Sequence, residues 1–197
     1  MTSKKRTDTS MEEKKIIGIT GMPGAGKGSA METAKKAGYP VVVMGDLIRE
    51  ETEKRGLSQT PDNLGRIMLK IREEGGPGVV AKRCLLKIRD SIGQTVIVEG
   101  IRGLAEVNEL KEHFPDMFLV AIHASPKKRA QRLRRRGRSD DPKTWEEFQK
   151  RDLRELVVGV GSAVAISDHI IINEGTPKQL DRNVSKMLKK VEKRWKM

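Results

Sequence analysis

The chain has 197 residues but only one cysteine, three histidines, 3% aromatic residues and no long apolar run. With Cys84 alone, an internal disulfide and a cysteine cage for a metal are excluded, and a reducing, cytoplasmic compartment is the simplest expectation. His113, His123 and His169 show no metal-ligand spacing. The longest apolar-leaning stretch, 156–166, is broken by Gly159, Gly161 and Ser162 and falls short of the roughly 18 residues a membrane-spanning helix needs. The basic start Lys4, Lys5, Arg6 leads into Thr, Asp, Ser and Glu rather than an apolar segment, so no secretory signal is expected.

Basic charge is abundant and local. Lys and Arg number 40 against 27 Asp and Glu, a net charge of +13. Residues 127–138 contribute +8 with no acid and residues 182–197 contribute +6, which leaves the remainder near neutral. Such concentration points to anion binding at particular places, a polyanion or an anionic small molecule. An arginine run on a helix is ordinarily a solvated face. Here eight like charges repel one another, and guanidinium forks suit phosphate, so phosphate binding is the favoured reading.

Residues 1–14 are polar and aperiodic and read as a disordered tail; residues 15–197 read as a single domain. Short apolar runs at 16–20, 41–44, 95–98, 118–122 and 170–172 predict five strands covered on both faces. Between them, Leu64, Ile67, Met68 and Ile71, then Leu104, Val107 and Leu110, then Leu180, Val184, Met187, Val191 and Trp195 recur at helical spacing. Cys84 shares such a stripe with Val80 and Ile88 and is expected in the core. The alternation predicts an α/β fold, a five-stranded parallel sheet between helical layers, with ligands beyond the carboxyl ends of the strands.

The strongest motif follows the first strand: Gly21-Met22-Pro23-Gly24-Ala25-Gly26-Lys27-Gly28-Ser29, running into a helical pattern. Its glycines let backbone N–H groups converge on phosphate oxygens, and the new helix presents its positive end to the same anion. Lys27 would set an ammonium against the β- and γ-phosphates. Strand before and helix after make this a nucleotide-binding loop, for which ATP with Mg²⁺ is the expected ligand. Where the general pattern has Ser or Thr after the lysine, this chain has Gly28, and Ser29 is the first hydroxyl available to the metal.

The order G-x-P-G-x-G-K-G followed by Ser resembles the phosphate loop of adenylate kinases and related nucleoside monophosphate kinases. Met44-Gly45-Asp46-Leu47-Ile48-Arg49 is similar to the segment that opens their acceptor-binding region, which implies an acceptor-phosphate contact for Arg49. Arg49 also reads as an ordinary solvated helix arginine, and Asp46 as the N-cap of the following helix. Val98-Glu99-Gly100-Ile101-Arg102 resembles the family's D-G-F-P-R, implying a magnesium role for Glu99, through water, and acceptor binding for Arg102; Glu replaces Asp and the arginine comes one residue early. The block 132–141 with Arg151 resembles the lid, implying adenine stacking for Arg132 and phosphate roles for Arg136, Arg138 and Arg151. Asp140 and Asp141 could cap the next helix or hold the lid open. Residues 168–175 look like the last strand and loop of dephospho-coenzyme A kinases, implying that Asn173 and Gly175 help frame the adenine.

The resemblance spans about residues 15–192. It implies a P-loop fold with a helical acceptor-binding insertion at about 45–90 and a lid at about 134–155. The whole pattern, with R-G-R-S-D-D-P at 136–142, resembles an archaeal family of kinase-like P-loop proteins with no assigned substrate. The expected activity is phosphoryl transfer from ATP to a nucleotide or nucleotide-like acceptor, a nucleoside monophosphate favoured. Lys27, Arg136, Arg138 and Asp46 are the catalytic candidates. One alternative is transfer to a ribose hydroxyl, as in dephospho-coenzyme A kinases, with Asp46 as base. Another is an ATP-dependent binding protein on RNA, disfavoured because few aromatics leave few platforms for unpaired bases.

Overall fold

The computed structural model describes residues 14–196; the tail read over residues 1–14 lies outside them apart from Lys14, whose ammonium bonds to the carbonyls of Ser91 and Gly93. Five strands, β1 (Lys15–Thr20), β2 (Val41–Val43), β3 (Thr95–Ile101), β4 (Phe118–His123) and β5 (His169–Ile172), form one parallel sheet in the order β2-β3-β1-β4-β5. Neighbouring residues along a strand serve opposite faces. Ile16 joins a core with α2 (Met44–Lys54), α3 (Pro61–Gly75), α4 (Val79–Arg89), α5 (Leu104–His113) and α8 (Val160–Ala165), whereas Ile17 joins one with α1 (Lys27–Lys36) and α9 (Pro177–Trp195). Coverage on both faces is why the strands read as continuous apolar runs. A third, small cluster of Ala130, Leu133 and Phe148 packs α6 (Pro126–Arg136) against α7 (Trp145–Val158).

Strands β1, β4 and β5 each run one residue beyond the sequence reading, and the ends of β2 and β3 differ in ways that bear on the site. Met44 begins α2 rather than ending β2, because Val43 is the last extended residue and the chain turns directly into helix. Strand β3 continues past Val98 through Glu99 and Gly100 to Ile101, since it pairs with β1 along its whole length. The register slips between Ile19 and Thr20, opposite Gly100 at φ 98°, and Thr20 Oγ1 donates to the Ile101 carbonyl at 2.8 Å. Such a bulge redirects side chains at the end of a strand, here beside Glu99.

Sheet order places the candidate loop. The chain leaves β1 with β3 on one side and β4 on the other, so the crevice beyond β1 lies where the connections diverge, and 21–26 occupies it.

Candidate functional site

The loop between β1 and α1 is shaped by glycine. Gly24 and Gly26 have φ of 79° and 107°, and a Cβ there would lie 2.6 Å from the Arg129 carbonyl oxygen and 2.2 Å from Asn173 Nδ2. Any larger residue would meet both backbone strain and a neighbour. Gly26 is also the N-cap of α1, and no side chain caps that helix, so its first N–H groups face an incoming anion. Lys27 Nζ donates to the Gly21 and Met22 carbonyls at 2.8 and 3.3 Å and sits 3.9 Å from Glu99 Oε1. Burial lowers the Lys27 pKa, and Glu99 opposes that shift.

A cavity of about 1310 Å³ opens over this loop. Of the residues singled out from sequence, Pro23, Gly24, Gly26, Lys27, Gly28 and Ser29 line it on the loop side. Asp46, Arg49, Glu99 and Arg102 line it across the strand ends, and the arginines at 132, 136, 138 and 151, with Asn173 and Gly175, complete the wall. Gly21 and Ala25 do not line it. Ala25 is fully buried, its N–H bonds to the Met22 carbonyl, and its own carbonyl accepts from Asn173 Nδ2 at 2.8 Å.

Several local roles read from sequence are corrected. Asp46 is the third residue of α2, whose N-cap is Val43, and its carboxylate pairs with Arg49 at 2.9 Å. Asp140 and Asp141 do not cap α7; Thr144 does, in a capping box with Glu147. Asp141 instead accepts from Arg136 Nε at 2.9 Å and from the Arg138 backbone N–H at 3.0 Å, while Asp140 pairs with Arg151 at 3.2 Å. The two acids thus engage Arg136, the Arg138 backbone and Arg151 rather than a helix N-terminus. Burial pushes the Asp141 carboxyl up, but the Arg136 and Arg138 hydrogen bonds outweigh it and keep it below its ordinary value.

The arginine run is not one solvated face. Arg129 is buried and clamps Asp152 with both terminal nitrogens at 2.7 and 2.6 Å; it also donates to the Pro23 and Ala124 carbonyls and covers the Phe148 ring. This side chain ties the phosphate loop to the end of β4 and to α7. Arg132 donates to the Asn173 carbonyl at 2.8 Å, and Arg136 is held by Asp141. Sequence reading missed Arg129 as a structural residue, and it missed Asp152 and Glu155. Glu155 is 5% exposed and pairs with Arg102 Nε at 2.8 Å, raising the arginine's pKa. Both partners lie far from the arginines in sequence. The signal within reach was the repeated basic-acidic step Arg151-Asp152 and Arg154-Glu155, three residues apart in one helix.

Among the described residues, no group of three or more His, Cys, Asp or Glu side chains could hold a metal alone. Mg²⁺ held on a nucleotide needs only one or two protein oxygens beside phosphates and water. Glu99 and Ser29, both on the cavity wall, supply a carboxylate and a hydroxyl of that kind. No helix among the described residues is long and apolar enough to cross a membrane.

Residues 20–149 match the AAA domain family. The UPF0200 protein of Pyrococcus horikoshii is 46% identical over 91% of this chain and 99% of its own length, and that of Methanocaldococcus jannaschii is 49% identical over 90% and 93%. Similar solved folds include TT1252 from Thermus thermophilus (TM-score 0.63, 19% identity, 91% of this chain and 98% of that one) and a shikimate kinase from Bacteroides thetaiotaomicron (0.55, 17%, 89% and 98%). A gluconokinase from Sinorhizobium meliloti gives 0.54 at 17% identity, over 93% and 97%. With its phosphate loop on β1 and its five-stranded parallel sheet, the chain has the P-loop kinase fold and belongs to the UPF0200 family of AAA-domain proteins.

Proposed function

We propose that the protein is an ATP-dependent phosphotransferase acting on a nucleotide or nucleotide-like acceptor, with a nucleoside monophosphate favoured. The observation that carries this reading is one cavity bounded by Lys27 and the open start of α1 on one side and by Arg49, Arg102 and Arg151 on the other. A protein that only hydrolyses nucleotide has no need of a second cationic wall.

In this reading the loop N–H groups and Lys27 hold the β- and γ-phosphates, and Arg132 and Asn173 flank the adenosine end. Ser29 and Glu99 would hold Mg²⁺, which would supply positive charge to offset that of the phosphates. Lys27 leaves the Gly21 and Met22 carbonyls for phosphate oxygens. Arg136, Arg138 and Arg151 close over the transferring group and exclude water, which would otherwise compete with the acceptor. Rate enhancement comes from positioning and charge stabilisation.

A hydroxyl acceptor remains a second reading because Asp46 lines the same cavity and could take the hydroxyl proton. The test is phosphoryl transfer from ATP with Mg²⁺ to nucleoside monophosphates and to dephospho-coenzyme A, with Lys27→Ala as the blank. Transfer above the blank supports the proposal and identifies the acceptor chemistry. ATP hydrolysis that no acceptor suppresses or diverts would overturn it.

A further inference from the structure

Beyond Arg49 the cavity continues into a small pocket of about 80 Å³ between α2, α3 and α7. Its apolar wall is Ile48, Leu64 and Met68, and its polar wall holds four arginines, at 49, 102, 151 and 154, against two carboxylates, Asp140 and Glu155. The carboxylates are already engaged, Glu155 by Arg102 at 2.8 Å and Asp140 by Arg151 Nη2 at 3.2 Å, while Arg49 pairs with Asp46 outside the pocket lining. Positive charge is therefore left over. Of the four arginines only Arg154 is left without a carboxylate partner among the described residues, and on the same helix Arg151 Nε and Arg154 Nε are buried with no hydrogen-bond partner, one turn apart. Buried donors lacking a partner are rare, and the apolar wall raises the strength of any hydrogen bond made by the guanidinium groups that line the pocket.

A second observation concerns Gly65, the fifth residue of α3. Glycine is poorly suited to a helix interior, yet here a Cβ would lie 2.5 Å from Arg154 Nη1. The missing side chain is the space the guanidinium occupies, so α3 and α7 together hold Arg154 in place.

We propose that this pocket anchors an oxyanion of the acceptor, a carboxylate or phosphate group, with Arg154 as the selecting residue and Arg151 beside it. This deepens the phosphotransferase reading and rests on it. The pocket is small and its polar wall is dominated by arginine, so the acceptor is recognised here through its charge. A guanidinium fork pairs with either planar or tetrahedral oxyanions through two parallel hydrogen bonds.

The test uses the full chain saturated with the β,γ-methylene analogue of ATP, which fills the phosphate loop. Inorganic phosphate and, separately, acetate are titrated at constant ionic strength while the melting temperature is followed. At least one probe should stabilise the protein. Arg154→Leu should weaken that binding about tenfold and leave affinity for the ATP analogue unchanged. Gly65→Ala, which displaces the guanidinium without removing it, should weaken binding in the same direction, and Arg154→Lys should restore part of it. Preference for phosphate identifies a phosphorylated acceptor; preference for acetate identifies an acidic one. If neither probe stabilises the protein, or if folded Arg154→Leu and Gly65→Ala both bind as the wild type does, the inference is wrong. If Arg154-dependent binding is present but no acceptor is ever phosphorylated, the phosphotransferase reading fails while the anion pocket stands.

Discussion

Arg129 and Asp152 form a two-pronged ion pair, with Arg129 Nη1 and Nη2 at 2.7 and 2.6 Å from the two carboxylate oxygens, inside a contact that also reaches the Pro23 carbonyl. Both side chains are largely shielded, at 5% and 16% exposure. Removing one partner of such a pair leaves the other charge buried, which costs about 3 kcal/mol. Asp152→Asn should therefore lower stability by about that amount in denaturant titration. It should also weaken ATP binding, because the phosphate loop loses its tie to α7. Unchanged stability would show that Arg129 finds other acceptors.

The acceptor side separates the two chemistries. Arg49→Ala should raise the acceptor KM about tenfold or more, as expected for a lost charge-assisted contact, with the ATP KM unaffected. For a monophosphate acceptor, already ionised, Asp46→Asn should leave kcat nearly intact. For a hydroxyl acceptor it should lower kcat by about 10²- to 10⁴-fold, the usual contribution of a general base. Steady-state kinetics on both variants distinguish the cases.

The lid pair Asp141–Arg136 predicts an acid-dependent change. Because the folded-state pKa of Asp141 is held below 3.8, the pairing stabilises the lid above that pH and its contribution disappears as pH falls through the lowered value. Asp141→Asn at neutral pH should reproduce the acid state. Backbone amides of residues 137–144 should then exchange faster in deuterium-exchange mass spectrometry, with those of β1 and β4 unchanged. Equal protection of the lid in variant and wild type would mean that Arg151 and Asp140 suffice to hold it.

Cys84 is fully buried, and burial pushes its thiol pKa to about 11. At pH 8 the native thiol should resist iodoacetamide at least about 100-fold better than an exposed cysteine, because the thiolate is the nucleophile. It should become titratable only when denaturant opens the core. Prompt labelling of the native protein would contradict the packing of α4 on the sheet.

Much of this molecule was legible along the chain. Strands β1, β3 and β4 were evident as apolar runs because both faces of each are covered. The phosphate loop was evident because its geometry depends on glycine spacing within nine residues, and Cys84 was evident as core from its spacing with Val80 and Ile88. The end of β3 was not, since Glu99 and Gly100 extend the strand only by pairing with β1.

For a related reason Asp46 is not the cap read for it, and the capping alternative for Asp140 and Asp141 fails. Capping depends on where a helix starts, and those starts were decided by the direct turn from Val43 into α2 and by the Thr144–Glu147 capping box.

The sequence by itself determined the class of the protein: alternating strand and helix, a phosphate loop after the first strand, and an excess of arginine where anions would bind. Tertiary structure decided what each arginine does. Arg129 reaches Asp152, Arg102 reaches Glu155, and Arg154 lies over Gly65, pairs that belong to different elements or are separated by many residues. A local pattern shows that charge is present, but whether a guanidinium is neutralised, buried or free to bind depends on the partner that packing brings to it.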